Sequence, residues 1–374
     1  MAVERQAVHA GRCPTLQSSR PRARIRSLAA AHRGVGRTND DDLMAMTQTL
    51  ARLITVVFLL VAVSVAVAAQ EPASRVWRIG FLGPGSSSSG DPRIEALRRG
   101  LRELGYAEGR NLALEFRWAE GNAERLPVLA AELAKVKVDA IVTQGTQATD
   151  AARRAVTNIP IVFAVAGDPV GTGLVTSLAR PGGNVTGLTD IAPEIAGKRL
   201  GLLREAAPRI TRIAVLWNPA NPSAAPQMKD TATIARSLGL TVRSLELKDV
   251  SQLEGVFAAA VQAHAQAVIV LSDGALYGRR AQIAQLAAKH RLLCVAWTPE
   301  FADSGCLMTY GANVVELHRR AAMFVDKILK GASAEGLPVE QPTNFELVLN
   351  LKTAKALGLR IPPTVLGRAD RVIE

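Results

Sequence analysis

Cysteine and aromatic residues are scarce in this chain, and so are the motifs of catalysis; each scarcity excludes something. The three cysteines in 374 residues form no CxxC pair, so neither a metal site nor a cofactor is expected. No GxSxG elbow, HExxH pair or other paired metal-ligand spacing occurs. His264, His290 and His318 fall within helical stretches, where histidines are usually solvated or packed. No catalytic residue is assigned and the chain reads as a non-enzyme. Nor do basic residues interleave with aromatics on any helix face, which argues against a nucleic-acid partner.

One apolar run is long, Leu53 to Ala69, and a polar change follows at once. Arg52 gives it a positive flank, Val56 to Val67 an apolar centre, and Ala66-Val67-Ala68 or Val67-Ala68-Ala69 the small residues that a signal peptidase needs. Residues 46–69 are therefore expected to be a signal peptide, cleaved near Ala68 to Gln70, with a periplasmic product. An uncleaved membrane anchor is the competing reading, since 17 uncharged residues lie at the lower limit for a span. Residues 1–45 hold eight arginines and no apolar periodicity. They read as a non-native or disordered leader, with translation starting at Met44 or Met46, rather than as a basic nucleic-acid tail. Without residues 1–69 the chain keeps 36 basic against 29 acidic residues, a net +7 over 305 residues, a modest and dispersed excess.

Beyond the leader, short apolar runs alternate with amphipathic helical stretches. Strands are expected at Val76–Leu82, Leu112–Trp118, Ala140–Thr143, Ile159–Ala164, Ile213–Trp217, Thr241–Leu247, Ala267–Leu271 and Leu292–Ala296, with crossover helices between them. Runs apolar on both faces and joined by helices mean parallel sheets covered on both sides. There are two such series, and the length also favours two domains. The expected architecture is α/β, with two doubly wound parallel-sheet lobes. The first is expected over 75–190 plus 307–330 and the second over 191–306 plus 345–374, so that the late elements return across a hinge. Cys294, in a buried strand, and Cys306, opening another, read as two packed thiols; a disulfide is the alternative in an oxidising compartment.

In open parallel sheets, ligands bind outside the carboxyl ends of the strands. After the first strand comes a loop of glycine and serine from Gly83 to Gly90, in which Gly83 and Ser86 are candidate anion donors. Asp91 stands where a P-loop lysine would be, which excludes nucleotide hydrolysis. Thr143, Gly145, Thr146 and Gln147 open a helix, where free amides and the dipole favour a carboxylate; Thr146 also suits an N-cap. Asp168 ends a later strand. Asn218 and Asn221 come after the fifth, although Asn-Pro pairs also mark ordinary turns. Asp273, Trp297 and Tyr310 complete the candidate ligand-binding residues.

The ordered set Ile79-Gly80-Phe81-Leu82-Gly83, Gly105-Tyr106-Ala107-Glu108-Gly109-Arg110-Asn111, Arg117-Trp118-Ala119-Glu120-Gly121, Gly167-Asp168-Pro169-Val170, Arg180-Pro181-Gly182-Gly183-Asn184-Val185-Thr186-Gly187, Asn218-Pro219-Ala220-Asn221-Pro222, Tyr310-Gly311 and Asn350 to Leu359 resembles a bacterial family of ABC-transporter substrate-binding proteins, with relatives that bind aromatic amino acids. The resemblance covers Val76 to Glu374. It implies a type I periplasmic binding protein, two lobes joined by a three-crossover hinge, acting as a monomer that delivers a small solute to an ABC permease whose ATPase is a separate chain. No cysteine follows the signal, so lipid anchoring is not expected. On this reading a carboxylate sits at Thr143 to Gln147, Asp168 or Asp273 meets an ammonium, and Trp297 or Tyr310 covers the solute. The alternatives are a solute sensor for a kinase or chemoreceptor, and a secreted α/β enzyme.

Overall fold

The structure, a computed structural model, describes residues 38–68, 75–86, 90–190 and 192–374. The early leader and the expected cleavage point at Gln70 lie outside the described residues. Helix α1 (Thr38–Ala68) belongs to a unit, Met1–Ala73, separate from Ser74–Glu374. Leu50, Leu53, Val57 and Phe58 on α1 are exposed. Among the described residues no helix is long and apolar enough to cross a membrane.

Within Ser74–Glu374 the first lobe runs β1 (Trp77–Gly83), α2 (Pro92–Glu103), β2 (Leu112–Trp118), α3 (Leu126–Lys135), β3 (Ala140–Gln144), α4 (Gly145–Ala155), β4 (Ile161–Ala166) and β5 (Val185–Thr189). These strands form a parallel sheet in the order β2-β1-β3-β4-β5. All five residues of β3 are buried, as expected of a strand covered on both faces. The second lobe continues with α5 (Ala192–Ala206), β6 (Arg212–Trp217), α6 (Ala224–Ser237), β7 (Thr241–Glu246), α7 (Leu253–Gln262), β8 (Ala267–Val270), α8 (Gly274–Gly278), α9 (Arg280–Lys289), β9 (Leu293–Ala296), α10 (Pro299–Asp303) and β10 (Met308–Ala312). The chain then makes α11 (Val314–Leu329), β11 (Phe345–Asn350), α12 (Leu351–Ala356), α13 (Pro363–Leu366) and β12 (Arg371–Ile373). The second sheet is ordered β12-β11-β10-β9-β8-β6-β7. Only β11 and β12 run against its other strands.

The chain passes between lobes three times. It leaves the first after β5 and returns from β10 into α11, where Asn313 caps the helix by accepting a hydrogen bond from the Glu316 amide at 3.0 Å. The third passage comes after Glu340, whose backbone bonds Gly187 and Thr189 beside β5, and ends in β11. The split expected at residue 307 is thereby corrected. Residues 308–312 pair with β9 and β11 in the second sheet, and only α11 belongs to the first lobe. Its Leu317, Ala321, Phe324 and Val325 join Ile94, Leu97 and Leu101 of α2 in one buried cluster.

The expectation of two packed thiols also fails. Cys294 and Cys306 form a disulfide, with Cα atoms 4.7 Å apart. The turn through α10 returns the chain beside the strand it left, which brings both sulfur atoms into the same buried layer as Phe301 and Trp297.

The α2–α11 contact depends on a missing side chain. A Cβ on Gly100 would lie 2.3 Å from the Arg319 carbonyl oxygen, whereas one on Gly201 in α5 would meet nothing within 4 Å. Gly100→Ala should destabilise the protein by about 1–3 kcal/mol through overpacking. Gly201→Ala should be neutral or stabilising by up to about 1 kcal/mol. Urea denaturation of the two variants should give shifts of opposite sign or, at the least, a shift for Gly100→Ala alone.

Candidate functional site

A cavity lies between the lobes and is lined by residues just beyond the strand ends: Gln144 to Thr146 after β3, Gly167 after β4, Asp190 after β5, Asn221 and Ser223 after β6, Ser272 to Gly274 after β8, and Trp297 after β9. Val165 and Ala166 of β4, Arg93 at the start of α2, Tyr277 on α8, and Val314 and His318 on α11 complete it. The lobes are closed on one another. Ser272 Oγ donates to Asp190 Oδ2 at 2.8 Å, Gln147 Nε2 donates to the Ala220 carbonyl at 3.1 Å, and the Arg93 guanidinium lies over the Tyr277 ring, 3.7 Å from its centroid. In this setting the centre of a water-sized sphere can reach about 40 Å³, room for two or three waters or so.

The sequence-derived candidates divide into those at the cavity and those outside it. Gly145, Thr146, Asn221, Asp273 and Trp297 line it. Gly145 has φ +85°, which glycine adopts without strain and which starts α4 directly after β3. No side chain caps that helix, so its first amides have no intrahelical partner. The Thr146 hydroxyl is engaged with the backbone of Gly167, donating to its carbonyl and accepting from its amide at 3.1 Å.

The other candidates have structural duties. Gly83 leaves space for the Trp118 ring, and Ser86 is exposed. Thr143 shares a 2.8 Å hydrogen bond with the Thr149 hydroxyl. Gln147 is a clasp between lobes rather than a lining residue. Asp168 accepts from the Gly171 amide at 2.8 Å, closing a turn away from the cavity. Asn218 lies behind the lining and donates to Asp273 Oδ2 at 3.1 Å. Tyr310 stacks on Phe345, with centroids 6.1 Å apart, because its position in β10 turns the ring toward the cluster on the other side of the sheet.

Asp273 is fully engaged. Its Oδ1 accepts the Ala275 and Leu276 amides at 2.8 and 3.0 Å, and its Oδ2 accepts Asn218 and Asn221. Burial raises its pKa despite these four donors. It is therefore a cap and clamp whose oxygens are already spent. Asp190, which sequence reasoning did not single out, supplies the other lining carboxylate.

Several charged or titratable groups surround the cavity. Arg93 forks onto Asp91 through Nε at 3.0 Å and Nη2 at 2.6 Å. Burial pushes the Asp91 carboxyl up, but the hydrogen bonds and charge of Arg93 outweigh it and hold the group below its usual range. Arg199, fully buried on α5, donates from Nε to the Tyr310 carbonyl at 2.8 Å. Burial brings it down to about 10, with the Asp190 charge acting the other way. His318 is fully buried; burial first, and then the Arg93 charge, hold its imidazole down to about 4.

Four likenesses to known proteins bear on this geometry. A model of the family described as ABC transporter substrate binding protein matches residues 84–373. A tyrosine-binding protein of Clostridioides difficile (strain R20291) is 25% identical over 273 residues, 72% of this chain and 78% of that one. The structure of an ABC domain from Streptococcus pneumonia in complex with L-Trp matches with a TM-score of 0.74 at 24% identity, covering 80% of this chain and all of that one. A ligand-free, open substrate-binding protein from Clostridium difficile matches at the same identity and coverage of this chain, and 99% of its own, but with a TM-score of only 0.56.

His318 makes the stability of the fold depend on pH. Its folded pKa lies below the unfolded value of 6.5, so protonation favours the unfolded chain. Stability is complete above about pH 6.5 and is lost as pH falls toward 4, by up to roughly 3 kcal/mol. Denaturation at pH 7 and pH 4.5 should show this loss in the wild type and a smaller one in His318→Leu.

Proposed function

Because the chain belongs to the family of ABC transporter substrate-binding proteins, whose members bind solutes and are not enzymes, we propose that it captures an amino acid with an aromatic side chain and hands it to a membrane permease. The carrying observation is that one cleft brings together the uncapped start of α4, the Asp190 carboxylate and the Tyr277 and Trp297 rings. A carboxylate suits the Gly145 and Thr146 amides, since unpaired donors and the helix dipole both favour negative charge. An ammonium suits Asp190 and the neighbouring Gln144 Oε1. The Arg93–Asp91 pair beside the cleft is neutral as a unit, and a zwitterion likewise adds no net charge on burial. The named relatives, one tyrosine-binding and one bound to L-Trp, support an aromatic side chain.

The mechanism is a consequence of the two lobes. An open form admits the solute, and contacts made from both lobes at once favour the closed form by the solute's differential affinity for it. The closed pair would dock on a permease whose ATPase is a separate chain. In this reading residues 46–69 direct export and are removed near Ala68 to Gln70, leaving the lobes in the periplasm as a monomer. The oxidised Cys294–Cys306 pair suits such a compartment.

Calorimetric titration of unfolded, refolded and thereby ligand-stripped protein with the twenty amino acids, glucose, ribose and adenosine tests the assignment. Saturable binding of aromatic amino acids is expected, and Asp190→Asn should weaken it at least about 10-fold. Binding of a sugar or nucleoside with no response to any amino acid would overturn it.

A further inference from the structure

Three polar atoms along the cavity are sealed from water and make no hydrogen bond: Gln144 Oε1, Tyr277 Oη and His318 Nε2. Their residues are 4%, 3% and 0% exposed. Buried polar atoms are nearly always paired, so three orphans in one cavity point to a partner that arrives from outside the chain. Gln144 adjoins the start of α4 and belongs with the zwitterion's contacts. Tyr277 and His318 form a separate group around Arg93.

We propose that the Arg93–Tyr277–His318 group selects, among aromatic amino acids, those whose side chain ends in a neutral hydrogen-bond donor, a phenol O–H or an indole N–H. The inference rests on the proposed capture of an amino acid and adds which residues read the side chain. His318 Nδ1 lies 2.7 Å from the Val314 carbonyl. A carbonyl only accepts, so Nδ1 carries the hydrogen. With the ring neutral at pH 7, Nε2 is left as a bare acceptor.

The surroundings narrow what can satisfy that acceptor. Arg93 has spent Nε and Nη2 on Asp91 and is stacked on Tyr277, with Arg280 also over the ring at 4.6 Å. This fixed positive charge repels an ammonium. The Nε2 lone pair and Asp91 disfavour a carboxylate. A neutral donor meets neither objection. A phenol that donates to Nε2 can also accept from Tyr277 Oη, whereas an indole N–H can only donate. Phenylalanine fills the same aromatic space and leaves both protein atoms unpaired.

The test compares L-Tyr, L-Trp and L-Phe by calorimetry on the ligand-stripped protein. L-Phe should bind roughly 10- to 100-fold more weakly than the better of the other two, the cost of leaving buried polar atoms unpaired. In His318→Leu the discrimination should fall to about 3-fold or less, chiefly through loss of L-Tyr and L-Trp affinity. Tyr277→Phe keeps the ring under Arg93 and removes only Oη, so it should weaken L-Tyr more than L-Trp; it carries the test if His318→Leu does not fold. Equal binding of the three amino acids by the wild type, or unchanged discrimination in folded variants, overturns this inference and leaves the amino-acid reading standing. Binding of none of the three overturns both.

Discussion

Two separately packed cores are held in one molecule by three short passages of chain, and the site depends on that constraint. Each sheet has apolar clusters on both faces, so each lobe carries its own burial energy. The passages after Asp190, at Asn313 and after Glu340 link the lobes, and strand ends of both sheets meet at the cavity. Ligand chemistry is thereby confined to residues that lie at strand ends or reach over from flanking helices. Helix α11 makes the arrangement three-way, since it comes after a strand of one lobe and packs on the other.

The closed cleft combines strong local pairing with weak pairing between lobes. Within lobes, Arg93 forks onto Asp91 and Asp273 anchors both a helix start and two asparagines, contacts that survive opening. Between lobes lie the Ser272–Asp190 hydrogen bond, the Gln147–Ala220 clasp and the Arg93–Tyr277 stack, each worth little singly once water can replace it. On the proposed opening, the pairs within each lobe stay in place and only the contacts between lobes are exchanged.

Much of the fold was legible in the amino-acid sequence because a buried parallel strand is an apolar run with few alternatives. β2 agrees with its expected bounds residue for residue. β5 and β12 went unread as strands: Val185–Thr189 mixes threonine and glycine with its apolar residues, and Arg371–Ile373 is only three residues long. Sheet membership of β10 could not be seen locally, since pairing with β9 and β11 is set by tertiary contacts. At the site, looking beyond strand ends located Gly145, Thr146, Asn221, Asp273 and Trp297. It passed over Arg93, Tyr277 and His318 because they project from helices, and Tyr277 reaches the other two from the opposite lobe. His318 lay in a helical pattern that ordinarily signals packing, and the packing is real; its unpaired nitrogen is visible only in three dimensions. Tyr310 erred the other way, since a strand end fixes a residue's height but alternation decides its face.

The covalent link between Cys294 and Cys306 closes the short segment that carries Trp297 and Phe301, whose rings lie 4.6 Å apart. A loop tied at both ends has few conformations left to lose. The position of Trp297 in the cavity lining is accordingly set before any solute arrives, and on the proposed reading its ordering entropy is not charged to binding.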